Sequence, residues 1–228
     1  MSTFIVRVWV PDRPGALGAV ASRIGAVRGE IVGIDILERG GGRAIDELVV
    51  ELADETLVPL LVGEVGQVDG VDVEDVRPAP AHLGDSRVDA LETAAVLVAA
   101  TTSAELLTAL AGHGQRDFEA DWSAVVDLHG DLLASEGAPP PPGWLAAFLS
   151  GSSSSSQVAS GECGPDDVAW AELPGARLAL VLGRRGRPFR ARERRQLGML
   201  GRITASRLTE LPAVMSARGL SSSTPSEV

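Results

Sequence analysis

The chain of 228 residues contains no lysine and no tyrosine, one cysteine, four phenylalanines and four tryptophans. A single thiol, Cys163, cannot close an internal disulfide, so nothing points to an oxidising compartment. The acidic neighbours of Cys163 in Gly161-Glu162-Cys163-Gly164 also disfavour a reactive thiolate. No apolar run approaches the roughly 20 residues that cross a bilayer. The first residues lack a signal peptide's basic start and apolar block, because Arg7, Asp12 and Arg13 interrupt them. A cytoplasmic location is the expectation. With lysine absent, all 20 basic residues are arginine, a compositional bias rather than a functional sign.

Catalytic signals are equally sparse. His82, His113 and His129 stand without a second ligand at metal spacing, and Gly112-His113-Gly114 lacks the preceding strand and third glycine of a dinucleotide fingerprint. Serines 152 to 156 have neither a nucleophile elbow nor a base. Trp9, Trp122, Trp144 and Trp170 are expected to anchor cores. The reading is a non-enzyme without metal or cofactor.

What is present is a hydrophobic content of 45%, enough for packed cores, and a net charge of −11 spread unevenly. Residues 1–85 hold 7 arginines against 15 acids, residues 86–176 hold 2 against 13, and residues 177–228 hold 11 against 3. So acidic a body repels nucleic acid. The basic end, Arg184-Arg185-Gly186-Arg187 with residues 190–195, is the one stretch suited to phosphates. No helix-turn-helix, zinc spacing or stacking platform accompanies it, and a solvated helix face balancing the acidic body is the favoured alternative.

The pattern of elements begins with an apolar run, Phe4 to Val10, rich in β-branched residues and stopped by Pro11 and Pro14. Leu17, Val20, Ala21, Ile24 and Val27 then recur at helical spacing. The first N–H groups of that helix carry partial positive charge and can hold a carboxylate. A second strand, a glycine turn at Gly40 to Gly42, a third strand, a helix capped by Asp54 and delayed by Pro59, and an alternating fourth strand follow. The order is βαββαβ, that of ferredoxin-like folds. Residues 79–86 read as a linker. Beyond it come a helical run from Val88, a helix capped by Ser103, two strands about His129-Gly130, a short helix from Gly143 to Leu149 and a flexible loop from Ser150 to Gly164. A hairpin turning at Pro174-Gly175 and a long leucine-faced helix complete the order, before a serine-rich tail, residues 213–228, that reads as disordered.

Residues 1–78, with Asp12-Arg13-Pro14-Gly15-Ala16-Leu17 at the first strand-helix junction, resemble an ACT domain, a module that commonly binds amino acids in metabolic regulation. Residues 87–212 resemble a GAF domain, a PAS-like antiparallel sheet with flanking helices, most closely over Leu178 to Leu208. The fold class expected is α+β. The first resemblance implies an amino-acid ligand and a homodimer. Asp12 would face the ligand ammonium, the N–H groups of Gly15, Ala16 and Leu17 would take its carboxylate, and Ile34 and Asp35 would come from the partner side. An asparagine common near these places in the family is replaced by Asp12 and Asp35. The residues alone also allow a plainer reading, in which Asp12 caps the helix and Gly15 only makes the corner. A sensor, a ligand-free dimerisation scaffold for a separate enzyme, and, behind both, nucleic-acid binding remain as functions. The apolar face of the last helix is either a second dimer contact or packing on its own sheet.

Overall fold

The computed structural model describes residues 1–80, 86–153 and 167–211. His82, Cys163, the greater part of the expected loop and the tail lie outside these residues. Strand β1 (Ser2–Pro11) is followed by helix α1 (Ala16–Ala26), β2 (Glu30–Gly40), β3 (Arg43–Leu52), α2 (Val58–Val65) and β4 (Asp72–Pro78). They form an antiparallel sheet of order β2-β3-β1-β4, as the βαββαβ pattern requires. Alternation along β1 explains its packing. Phe4, Val6, Val8 and Val10 enter a core with Val20 and Ile24 of α1 and Leu61 and Val65 of α2, while Ile5, Arg7 and Trp9 turn to the sheet's other face. Pro59 falls in the first turn of α2, where its missing N–H costs nothing, and Asp54 accepts from Thr56 N to cap the short 3₁₀ turn before it.

The remaining elements are α3 (Ser86–Ala99), α4 (Ser103–Asp117), β5 (Trp122–Asp127), β6 (Leu132–Gly137), α5 (Pro142–Ser153), β7 (Val168–Leu173), β8 (Leu178–Gly183) and α6 (Ala191–Glu210). The second sheet runs β6-β5-β8-β7, all antiparallel. Leu145 and Leu149 of α5 pack on one face with Ala124, Val126 and Val181. The opposite face meets Leu106, Leu107 and Leu110 of α4, Leu97 of α3, and Leu197 and Leu200 of α6. The chain is thus α+β, with two four-stranded antiparallel sheets and six α-helices among the described residues.

Several local expectations change. The cap of α4 is Thr102, whose hydroxyl accepts from Glu105 N at 3.2 Å, one residue before the serine expected to cap it. Ser150 to Ser153 continue α5 instead of opening a loop. Ala79 still donates to Thr3 O at 2.8 Å, so the expected linker begins attached to the first sheet. Strand β8 starts at Leu178, because Ala176 folds back onto Leu173 O and Arg177 has a positive φ of 56°. The leucine face of α6 is buried within the chain at Leu197 and Leu200, which removes it as a dimer contact.

Candidate functional site

Two places gather the residues singled out by the sequence. One is the corner where β1 becomes α1. Asp12 N donates to Gly42 O at 2.9 Å and Arg13 N to Pro11 O at 2.8 Å, which turns the chain sharply at the end of β1. Gly15 then takes φ 86°, a left-handed conformation that any side chain would strain, and α1 begins. No side chain caps this helix, and its first turn holds no acid, so the plain reading of Asp12 as a cap is not what the structure has. Ala16 N is engaged by Arg13 O at 3.3 Å, which takes it out of the set of N–H groups expected to receive a carboxylate. Asp12, Arg13, Pro14, Gly15 and Gly18 are exposed, Leu17 is half-buried, and nothing lies within 4 Å of where side chains on Gly15 or Gly18 would begin. The result is an open, electropositive helix end.

Strand β3 carries a residue not anticipated as a site. Asp46 on β3 sits opposite Val8 of β1 and Ile36 of β2, in line with Leu48 and Val50 on the face covered by the helices. It is 4% exposed, and its Oδ1 is buried without a hydrogen-bond partner. Burial raises its pKa above the ordinary aspartate value, Arg39 pulls the other way, and the like charge of Asp12 adds to the rise. The sequence does contain a signal: in the register Ala44, Asp46, Leu48, Val50, one carboxylate interrupts a core-facing row.

The second place is a cleft of about 610 Å³ between the first sheet and helices α3, α4 and α6, lined by Asp35, Glu47, Arg77, Arg116, Glu119 and Arg192 among others. Here the basic stretch finds its role. Arg7 is 1% exposed and gives Nε and Nη2 to Glu47 Oε1 at 3.0 and 2.8 Å, with Nη1 on Pro188 O at 2.9 Å. Arg77 grips both oxygens of Glu119 at 3.0 Å and also reaches Glu47. Arg187 completes the group through Nη1 to Glu119 Oε2 at 2.9 Å. Arg184, 3% exposed, bonds Phe118 O, Pro188 O and Glu193. Arg190 pairs with Glu74 and Arg192 with Asp35, and the Trp9 ring lies between Arg43 and Arg190, 5.2 and 5.1 Å from their guanidinium carbons. Of the basic stretch, Arg190 and Arg192 thus bind the first sheet, Arg184 and Arg187 hold elements of the second unit together, and Arg185 and Arg195 stay exposed.

Burial alone would lower the pKa of Arg77, but the hydrogen bond to Glu119 and the charges of Glu47 and Glu119 hold it above its ordinary value. Burial would likewise raise Glu119, and the bonds and charges of Arg77 and Arg187 hold it below. A carboxyl whose folded pKa is depressed contributes stability above its unfolded pKa, about 4.3, and loses it as pH falls through the folded value. Urea unfolding followed from pH 6 down to pH 3 should show stability falling with acid. The fall should be shallower in Glu119→Gln, and equal slopes in the two proteins would contradict the assignment.

The expected site residues do not converge within one chain. Asp35 and Ile34 face Glu47 and Leu48 of β3, which in turn face Arg7 and Val6 of β1, five and six residues from Asp12 along that strand. Asp35 pairs with Arg192, and Asp35 and Ile34 both line the cleft, Ile34 being 46% exposed on the edge strand. His113 belongs to a local cluster, its Nδ1 2.9 Å from Thr93 Oγ1 and 2.8 Å from Arg116 Nη2. Burial, followed by the Arg116 charge, lowers its pKa. Among the described residues no group of three or more His, Cys, Asp or Glu could hold a metal ion, and no helix is long and apolar enough to cross a membrane.

No family model and no curated protein matches the sequence. Solved structures similar to it include the ACT domain from GTP pyrophosphokinase of Chlorobium tepidum, at 17% identity over 34% of this chain and 97% of that one, with a TM-score of 0.28. The gliding protein MglB of Thermus thermophilus is similar at 15% identity over 58% of this chain and 98% of its own, with a TM-score of 0.35. An unknown protein from Galdieria sulphuraria is similar at 12% identity over 79% of this chain and 78% of its own, with a TM-score of 0.32. Likenesses this slight leave the function to be argued from the residues.

Proposed function

We propose that this chain is a regulatory protein that binds a free amino acid at the β1–α1 corner, without catalysing a reaction. The observation that carries the reading is the open end of α1. A helix terminus with no side-chain cap, entered through a left-handed glycine and facing clear space, leaves N–H donors and a positive end for a carboxylate. Leu17 and Gly18 would supply those donors, and Asp12, exposed beside them, would face the ammonium. On this reading the protein is a cytoplasmic homodimer. Ile34 on the edge strand would close the corner of a second copy, and the second sheet, read as GAF-like, would pass the signal to a partner protein.

A thermal-shift screen of the purified chain against the twenty amino acids tests it. A ligand at 100 times its dissociation constant adds about 2.7 kcal/mol. For a chain of this size that is a rise of roughly 5–10 °C in Tm. One or a few amino acids should produce such a rise, and Gly15→Val, which fills the approach to the helix end, should remove it while circular dichroism stays native. A dimer that responds to none of the twenty would support the ligand-free scaffold instead.

A further inference from the structure

We propose that α3 is a self-association helix, along whose outer face two copies of this chain pair in parallel as a short two-stranded coiled coil. The pairing stands apart from the reading of the corner and holds whether or not an amino acid binds there. Helix α3 is apolar on two sides. Its inner face, through Leu97, joins the core with Leu106 of α4 and Leu197 of α6, and Thr93 bonds Asp117 of α4. Its outer face carries Val88, Leu91 and Val98, which are 58%, 71% and 57% exposed, with exposed Ala95 between them. Val96, off that row, is exposed as well. Among the described residues no other helix shows more than one large apolar side chain to solvent: Leu60 on α2, Trp144 on α5 and Met199 on α6. A surface helix ordinarily turns polar residues outward, so a second apolar stripe marks a face built to be covered.

The spacing and the flanking charges name the occupant as a second copy. Residues 88, 91, 95 and 98 recur at steps of three, four and three, the a and d positions of a heptad seam. Such a seam is self-complementary, because its knobs seat in the holes of an identical row. Val88 at a and Leu91 at d are the combination that favours two parallel strands, and Ala95 lets the two backbones approach in the middle. Arg87 then falls at g on one flank and Glu92 at e on the other, both exposed. In a parallel pair, g of one helix reaches the e position five residues on in its partner. Arg87 therefore meets Glu92 of the second copy, and the two-fold axis repeats the contact. An antiparallel pair sets g against g and e against e, where the flank of Arg87 offers only Ala94 besides and the flank of Glu92 only Ala99. The charges thus choose the parallel orientation. Two heptads bury little area, below about 1,200 Å², which places the dissociation constant on the order of 10 μM and makes the dimer follow protein concentration.

Analytical ultracentrifugation of the full chain from about 1 to about 200 μM, at low ionic strength, tests the seam. The wild type should pass from a smaller to a larger species across this range. Leu91→Glu should weaken the association by at least about tenfold while circular dichroism stays native, since the residue is exposed in the single chain. Arg87→Glu and Glu92→Arg should each weaken it by about tenfold, and the two together should restore it. Arg87 also borders the cleft, and a disturbance there would not be repaired by the second exchange. Crosslinking reads the orientation. In a Cys163→Ser background, Leu91→Cys meets its own counterpart across the axis and should give a disulfide-linked dimer on mild oxidation with diamide, whereas Val96→Cys, on the same helix but off the seam, should not. A Leu91→Glu chain that associates like the wild type overturns the proposal. So does a wild type that stays monomeric at about 200 μM, in which case a different protein or residues 212–228 cover the stripe. If Leu91→Glu abolishes association but the double exchange fails to restore it and Leu91→Cys does not crosslink, the helices do not pair in parallel and the seam proposed here falls.

Discussion

Glu47→Ala should destabilise the protein by about 3 kcal/mol, because it strips the carboxylate from a guanidinium that water cannot reach. Arg7 is 1% exposed, and two of its nitrogens rest on Glu47 Oε1. Without Glu47 it keeps Pro188 O, and Arg77 loses one of its three carboxylate partners. The charges left behind repel one another across the layer that joins the two sheets. Replacing both members, Arg7→Met with Glu47→Leu, should recover most of the loss, since apolar side chains of similar volume leave no charge to desolvate. Asp72→Ala is the contrast. Its pair with Arg43 is shorter still at 2.6 Å, but Asp72 is 70% exposed, and the change should cost well under about 1 kcal/mol. Urea unfolding midpoints for the three proteins, at constant slope, decide the matter. Equal losses for Glu47→Ala and Asp72→Ala would show that burial of the network does not govern its strength.

Gly201→Ala and Gly198→Ala make the same chemical change three residues apart on α6 and should have opposite effects. At Gly198 an added methyl group meets nothing within 4 Å, so the helix gains only the propensity difference between glycine and alanine, about 1 kcal/mol. At Gly201 the methyl carbon would stand 2.7 Å from Glu172 O of β7. Backbone oxygen cannot swing aside as a flexible side chain does. The helix must lift from the second sheet, at a net loss of about 2 kcal/mol after the propensity gain. Lifting α6 also disturbs its first turns, where Arg190 and Arg192 engage Glu74 and Asp35. Thermal unfolding should place the two variants on either side of the wild type, and a stabilised Gly201→Ala would refute the close contact of α6 with β7.

The sequence is most informative where the cause is local. Pro11, Pro14 and Gly15 break a β-branched run just where β1 turns into α1, and Pro59 takes the first turn of α2, where a missing N–H is tolerated. Positions 174 and 175 likewise mark the last hairpin. What stays hidden depends on partners far along the chain. Arg190 and Glu74 are 116 residues apart, and Arg192 and Asp35 are 157 apart. No spacing rule connects them, so an arginine-rich segment reads as a surface feature while its acids read as a solvated sheet. Asp46 is hidden for a different reason. Beside Glu47 it reads as one of two ordinary strand acids, and only the alternation of faces separates the one that enters the core from the one that meets Arg7.

Every cation that joins the two sheets is arginine, and the chain has no lysine anywhere. A guanidinium keeps its charge throughout the physiological range, and lysine acetylation, which erases a positive charge in one enzymatic step, has no side chain here to act on. Arginine methylation would act on this joint differently, blocking the bidentate grip without neutralising the charge.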